Sequence, residues 1–392
     1  MTSNESNTLS LTAGILHNKV NLNSEDFVSL FKKISVIYDS DKEVAFILKD
    51  NKLYLYFEDD KCIVYDSISC IYEKQEAYLI SFKFLNILNK VILDLGSEKI
   101  NIHFFENKIE AYVEDSKQVY YGIKKIDIDK VFLNLDKDFQ FNLNKTFFEH
   151  LNKLLKYVDT SSDFLNDNYN FINLKLILSN NDYSIKILGT DRIRYFLYNY
   201  KIDKIIFYTN EDKLKYDFFI NPLIFKNLKK VFTDKSLCSV SNKYLSFSYL
   251  NFNFLIKNNF INFFSFENLF SNEDKFIEID LKKMKKAVKS FSELIGKDNR
   301  YFILKKDKNV LEFSISNSCS NMYNKIEVCS NFEENFSFSI DYNMFIDILN
   351  DIDLSFIKIY IVSNNYFLIK YYDNYFSCCY LINIIKYKNN DF

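Results

Sequence analysis

VNLNSEDFVSLFKKI, residues Val20–Ile34, changes its apolar period part-way along. Val20 and Leu22 alternate with polar residues, as on one face of a strand, whereas Phe27, Leu30, Phe31 and Ile34 recur at helical spacing. Asn23 stands at the change, where a helix N-cap belongs. The same grammar returns twice. FNLNKTFFEHLNKLL, from Phe141, places Asn144 before Phe148, Leu151 and Leu155; IEIDLKKMKKAVKSF, from Ile277, places Asp280 before Met284, Ala287, Val288 and Phe291.

A second triplet follows each copy. YLISFKFLNILNKVI from Tyr78, FFINPLIFKNLKKVF from Phe218 and FSFSIDYNMFIDILN from Phe336 each read as a strand entering a helix, with Phe84, Phe225 or Phe345 on it. Between the triplets lie alternating runs broken by Asn or Asp, such as EVAFILKDNKLYLYFE, which fit hairpins. The spacing of the copies, about one domain length, predicts an α+β chain of three similar domains over 1–135, 136–270 and 271–392. In each, two helices cover one face of antiparallel sheet.

The composition bounds the function. Phe (41) and Tyr (29) abound while Gly (5), Pro (1) and Trp (0) are nearly absent, which follows AT-rich coding and discounts any functional reading of the aromatics. A net charge of −2 argues against coating nucleic acid by bulk charge. The polar N-terminus carries no signal-peptide pattern, and no apolar run is long enough to span a membrane. The seven cysteines contain no C-x-x-C pair and are expected as free thiols in a reducing cytosol.

Lysine gathers on the helices opposite their apolar stripes. Lys32, Lys33, Lys83 and Lys90 lie in the first repeat, Lys153, Lys156, Lys226, Lys229 and Lys230 in the second, and Lys282, Lys285, Lys286 and Lys289 in the third. A solvated helix face explains any one of these. Five of six helices leaning the same way points to salt-dependent, sequence-independent contact with phosphate. The sixth helix, DYNMFIDILNDID, is acidic and breaks the pattern.

The chain has three arginines, two of them in KILGTDRIRYFL, Lys186–Leu197. Here it resembles the bacterial replicative sliding clamps, the beta subunit of DNA polymerase III, in which a middle-domain strand leads into a Thr-Asp-Gly-His-Arg-Leu loop. Thr190, Asp191 and Arg194 match, and Arg192-Ile193 stands where that family has Gly-His. SCCYLINIIKY resembles the family's terminal strand through Tyr380, Leu381, Ile382, Ile385 and Lys386, with Asn383 for a Met and Ile384 for a Pro. SFSIDYNMFIDILNDI resembles its third-domain helix entry. The likeness covers nearly the whole chain.

The resemblance implies two chains in a head-to-tail ring around duplex DNA, twelve helices lining the hole, and lysines rather than bidentate arginines facing a duplex that must slide. It implies an apolar peptide pocket lined by Ile172, Thr190, Arg194, Tyr195, Ile261, Phe266, Tyr342, Ile382 and Ile384. In it the Arg194 stem would pack against the ligand and its head bond backbone carbonyls. It implies ring closure through Val119 and Tyr121 against Leu294 and Ile295 of the other chain. The implied partners are a second copy, double-stranded DNA, the polymerase III alpha subunit, the clamp loader and other proteins carrying the clamp motif. The implied location is the cytoplasm, with the nucleoid. Pro222-Leu223 stands where the family often has a basic pair.

Catalysis finds no support. His17, His103 and His150 lie in separate segments without metal-ligand spacing, and no phosphate-loop or nucleophile-elbow motif occurs. Neither cofactor nor metal is expected. The alternative from another class is an interaction scaffold that kept the clamp fold and no longer encircles DNA.

Overall fold

The structure, a computed structural model, describes residues 15–35, 42–130, 137–158, 172–179, 182–191, 193–208, 215–220, 222, 231–232, 236–258, 270, 274–296, 300–317, 320–362, 366–372 and 376–386. The chain divides into two compact units, Met1–Gln140 with Lys230–Lys257, and Phe141–Lys229 with Asn258–Phe392. The middle third of the sequence is thus shared between them.

In the first unit, strand Leu16–Asn23 enters helix α1 (Ser24–Ser35) and strand Glu76–Ser81 enters α2 (Phe82–Leu95). Asn23 Oδ1 accepts the Asp26 N–H at 3.1 Å, and Ser81 caps α2 by accepting the Lys83 N–H at 3.2 Å. These bonds satisfy N–H groups that a helix start leaves without an intrahelical acceptor. Gly96 ends α2 in the left-handed region (φ 66), its N–H returning to the Ile92 carbonyl. The helices meet through Phe31 and Phe82, whose rings stack 5.1 Å apart.

Five strands of this unit form one sheet in the order Ile71–Tyr72, Leu16–Asn23, Lys99–Phe105, Lys108–Val113, Ser116–Tyr121. In the other sheet the hairpin Glu43–Lys49/Lys52–Glu58 turns at Asp50-Asn51, both with positive φ (51° and 57°). That geometry matches the right-handed twist of the flanking strands. Its third strand, Cys62–Ser69, pairs with Phe252–Lys257 from the second repeat, Ile256 opposite Cys62 and Asn253 opposite Tyr65. A strand that would otherwise be an open edge is covered by the next repeat.

The second unit repeats the device. Arg194–Lys201, of the second repeat, pairs with Phe376–Asn383, of the third, inside a nine-stranded sheet. The helices are α3 (Lys145–Leu154), α4 (Leu281–Lys289) and α5 (Tyr342–Asp351). Asn144, Asp280 and Asp341 cap them, each accepting an N–H at 3.0 Å, from Phe147, Lys283 and Met344. The helix expected after strand Lys215–Ile220, with Phe225, lies almost wholly outside the described residues. Cys378 and Cys379 are both buried although successive strand residues face opposite ways, because the sheet is packed on both faces there. The described cysteines are all free.

Beside the outermost strand Ser116–Tyr121 sits a buried carboxylate. Burial of Glu110 would raise its pKa, but Lys108 (2.8 Å), the Tyr112 hydroxyl (2.6 Å) and Lys117 (2.9 Å) overcome this and hold it at about 2. A depressed carboxylate stabilises the fold above its unfolded value of about 4.3, and that contribution is lost as pH falls toward 2. Glu110→Gln is expected to cost on the order of 2 kcal/mol at pH 7. In urea denaturation at pH 7, 4 and 2.5, the gap between wild type and variant should shrink steadily with falling pH; a constant gap would contradict the assignment.

Candidate functional site

The hairpin Asp182–Thr190/Arg194–Lys201 closes on its own side chains. Asp191 Oδ1 accepts the N–H groups of Ile193 (3.1 Å) and Arg194 (2.6 Å), and Thr190 Oγ1 donates to the Arg194 carbonyl at 2.8 Å. Asp191 Oδ2 then takes both Nε and Nη2 of Arg194 at 2.7 Å. Here Thr and Asp before the turn, with Arg after it, fix the backbone and the guanidinium together. Gly189 precedes them because a Cβ there would stand 2.4 Å from the Phe196 ring and 2.9 Å from Val158. Arg192 lies outside the described residues.

The guanidinium is placed by more than Asp191. Its carbon lies 4.7 Å from the centre of the Tyr157 ring, and Nη1 is 3.7 Å from Asp347 on α5. The expectation that its head bonds backbone carbonyls is corrected: the partners are two carboxylates and an aromatic face. Charge-assisted, planar contacts of this kind exceed what a carbonyl offers.

Tyr157 ends the short 3-10 turn Leu155–Tyr157 that prolongs α3. Fully buried, it packs edge-on against Tyr380 at 5.1 Å and gives its hydroxyl to Asp351 Oδ2. Burial, then the charge of Asp351, push its pKa up. Asp351 Oδ1 meets Lys156 Nζ at 2.6 Å, and Lys153 Nζ reaches the Asp351 carbonyl at 3.4 Å. The acidic sixth helix is thereby accounted for: Asp347 and Asp351, one turn apart on α5, face the cations of α3 and of the hairpin. Tyr157, Asp347, Asp351 and Gly189 escaped sequence reasoning. The available signals were the acid pair at helical spacing and a glycine in a chain that holds five.

Register sorts the expected pocket residues. Arg194 lies opposite Ile382 and Tyr195 opposite Leu381, so the loop and the terminal strand are neighbours. Thr190 pairs with Tyr195, and these two share a sheet face with Leu188 and Leu381. Arg194 and Ile382 belong to the face that Tyr157 covers. Ile172, Ile384 and Tyr342 are buried. Ile261 and Phe266 lie outside the described residues.

The candidate lysines divide. Lys32, Lys83, Lys90, Lys282, Lys286 and Lys289 are exposed. Others are engaged within the chain: Lys33 is 2.9 Å from buried Asp66, Lys153 and Lys156 hold Asp351, and Lys285 donates to the Ile352 carbonyl at 2.8 Å. Burial lowers the Lys285 pKa, and it raises that of Asp66 despite Lys33. Lys226, Lys229 and Lys230 lie outside the described residues.

Val119 and Tyr121 are exposed on Ser116–Tyr121, the end strand of its sheet, while Leu294 and Ile295 are half-buried just past the turn that prolongs α4. Among the described residues no group of three or more metal-ligating side chains gathers, and no helix is long and apolar enough to cross a membrane.

No protein-family model matches the sequence, and no curated protein matches it. Solved structures do. A putative DNA polymerase III beta subunit from Eubacterium rectale superposes with a TM-score of 0.77 at 13% identity, over 95% of this chain and 100% of that one. The sliding clamp of Pseudomonas aeruginosa gives 0.73 at 14%, over 95% and 100%. The Helicobacter pylori beta clamp bound to a DNA ligase peptide gives 0.72 at 14%, over 94% and 99%. The fold is that of the bacterial sliding clamps. The expected clamp fold, mostly sheet with few helices, is met at an identity low enough that side chains must be judged from their own contacts.

Asp191 is predicted to set the hairpin. Asp191→Ala should cost about 2 kcal/mol in urea denaturation, since it leaves a mostly buried guanidinium short of its nearest carboxylate. Arg194→Lys should also destabilise, because one ammonium cannot give Asp191 the two donors of Arg194 and still stand over the Tyr157 ring. Full stability in Arg194→Lys would contradict this geometry.

Proposed function

We propose that this chain is a sliding clamp: two copies close into a ring around duplex DNA and tether the replicative polymerase through an apolar peptide pocket. The observation that carries the reading is the likeness over nearly the full length of both chains to beta clamps, one of them bound to a DNA ligase peptide. The division into domains 1–135, 136–270 and 271–392 belongs to the same reading, and so does the absence of catalysis.

Phosphate contact falls first to the exposed lysines Lys32, Lys83, Lys90, Lys282, Lys286 and Lys289. Exposed ammonium groups on flexible stems attract phosphate without a fixed geometry, which suits a protein that must move along DNA. Lys33, Lys153, Lys156 and Lys285 contribute only by giving up a contact in the chain. Lys226, Lys229 and Lys230 complete the set.

The partner peptide is bound around Thr190, Arg194, Tyr195 and Ile382, with Ile172, Ile261, Phe266, Tyr342 and Ile384 as further walls. Thr190 and Tyr195 lie on one sheet face and Arg194 and Ile382 on the other, so a peptide touching both sets crosses the hairpin end. The polymerase alpha subunit, the clamp loader and other clamp-motif proteins are the partners, in the cytoplasm and with the nucleoid.

Ring closure pairs the exposed strand carrying Val119 and Tyr121 with the end of α4 at Leu294 and Ile295 of the second copy, leaving no free edge. The second reading, a scaffold of the same fold that does not encircle DNA, draws on the four lysines already engaged within the chain.

Light scattering is expected to give twice the 46.9 kDa chain mass. Val119→Lys combined with Tyr121→Lys should give monomers that keep the fold. Once loaded by its clamp loader, the wild type should stay on nicked circular duplex and slide off when the circle is cut. A monomeric wild type, or equal retention on circles and linear DNA, favours the scaffold.

A further inference from the structure

We propose that Tyr157 is a positioning residue that couples the peptide pocket to Lys156, in the turn after α3, so that peptide and DNA each strengthen the binding of the other; this rests on the clamp reading above. The geometry is a short chain of contacts inside one compact unit. Arg194 lies over the Tyr157 ring with its guanidinium carbon 4.7 Å from the ring centre, the Tyr157 hydroxyl donates to one oxygen of Asp351, and the other oxygen holds Lys156 at 2.6 Å. One end is a proposed pocket wall with 12% of its side chain exposed, and the other is a lysine with 55% exposed. Between them lie only a buried ring and a buried carboxylate.

The sign follows from electrostatics. Lys156 neutralises Asp351, which is 7% exposed. A DNA phosphate that draws Lys156 away leaves that carboxylate more negative in a poorly screened place. It then accepts more strongly from the Tyr157 hydroxyl, which makes the ring richer in electrons. The unbalanced charge and the richer ring both hold the Arg194 guanidinium more firmly. A wall fixed before the peptide arrives costs less to order on binding, so the peptide binds more tightly. By linkage the peptide strengthens DNA association by the same factor.

The test measures binding of a fluorescein-labelled apolar hexapeptide ending in Leu-Phe, by anisotropy, with and without a saturating duplex of about 30 base pairs at low salt. For the wild type, DNA should tighten the peptide roughly 5-fold, at the lower end of usual coupling between sites. Tyr157→Phe keeps the ring and its packing but loses the hydroxyl, and should bring the factor to within about twofold of unity. Asp351→Asn should do the same. Lys156→Gln imitates the departure of the lysine and should bind peptide more tightly without DNA, a gain that a merely structural role would not produce. Unchanged coupling in Tyr157→Phe, or a wild-type factor of one with both ligands bound, overturns the proposal and leaves the clamp reading standing. If wild type binds no peptide, the pocket fails, and the coupling fails with it.

Discussion

Asp351 is a carboxylate almost sealed from water, and the second unit is arranged around the need to keep it from being alone. An ionised group in that position is tolerable only with partners. It has Lys156 on one oxygen, the Tyr157 hydroxyl on the other and Lys153 at its carbonyl. All three come from α3 and its continuation, some 195 residues earlier in the chain. The approach of the end of α3 and its following turn to the end of α5 is thereby set by charge. Tyr157, held by the same carboxylate, has the Arg194 guanidinium over its ring.

The scarcity of arginine then gains a physical meaning. Where coding pressure favours lysine, Arg194 stands where an ammonium would not serve. Arg194 needs a plane to stack on Tyr157 and two donors for Asp191. Arg300 pairs with Asp341, the residue that caps α5. Lysine handles the point-charge tasks, including the exposed helix faces. The two cations are not interchangeable, and the chain uses them accordingly.

Much of the fold was legible because its signals are local. Asn23, Asn144 and Asp280 sit at changes of period and do cap helices; Asp50-Asn51 between alternating runs does make a tight hairpin. Three copies of one grammar disclosed the architecture even where the identity to known clamps is only 13–14%. The site was less legible. Thr190, Asp191 and Arg194 could be picked out as a motif, but the partners of Arg194 could not, since Tyr157 and Asp347 lie in other elements and obey no period with it. The lysine faces were legible only in part for the same reason. Counting positive residues on a helix does not reveal which of them answer an acceptor elsewhere in the chain: Lys33 and Lys156 each meet a carboxylate, and Lys153 a backbone carbonyl.

Those pairs also bear on the field around the exposed lysines of a chain whose net charge is −2. Acids farther than a Debye length from the exposed lysines, about 8–10 Å near physiological salt, are screened and do little to cancel their field, whereas closer ones do. What counts is whether the carboxylates nearest those lysines are occupied. Asp66 is sealed behind Lys33, and Asp351 behind Lys156 and Tyr157, so these two buried acids are paired by groups of their own chain. Lys32, Lys83, Lys90, Lys282, Lys286 and Lys289 are left exposed. The internal ion pairs therefore do two things at once: they set how helices pack on their neighbours, and they keep buried acids from cancelling the field of the exposed lysines.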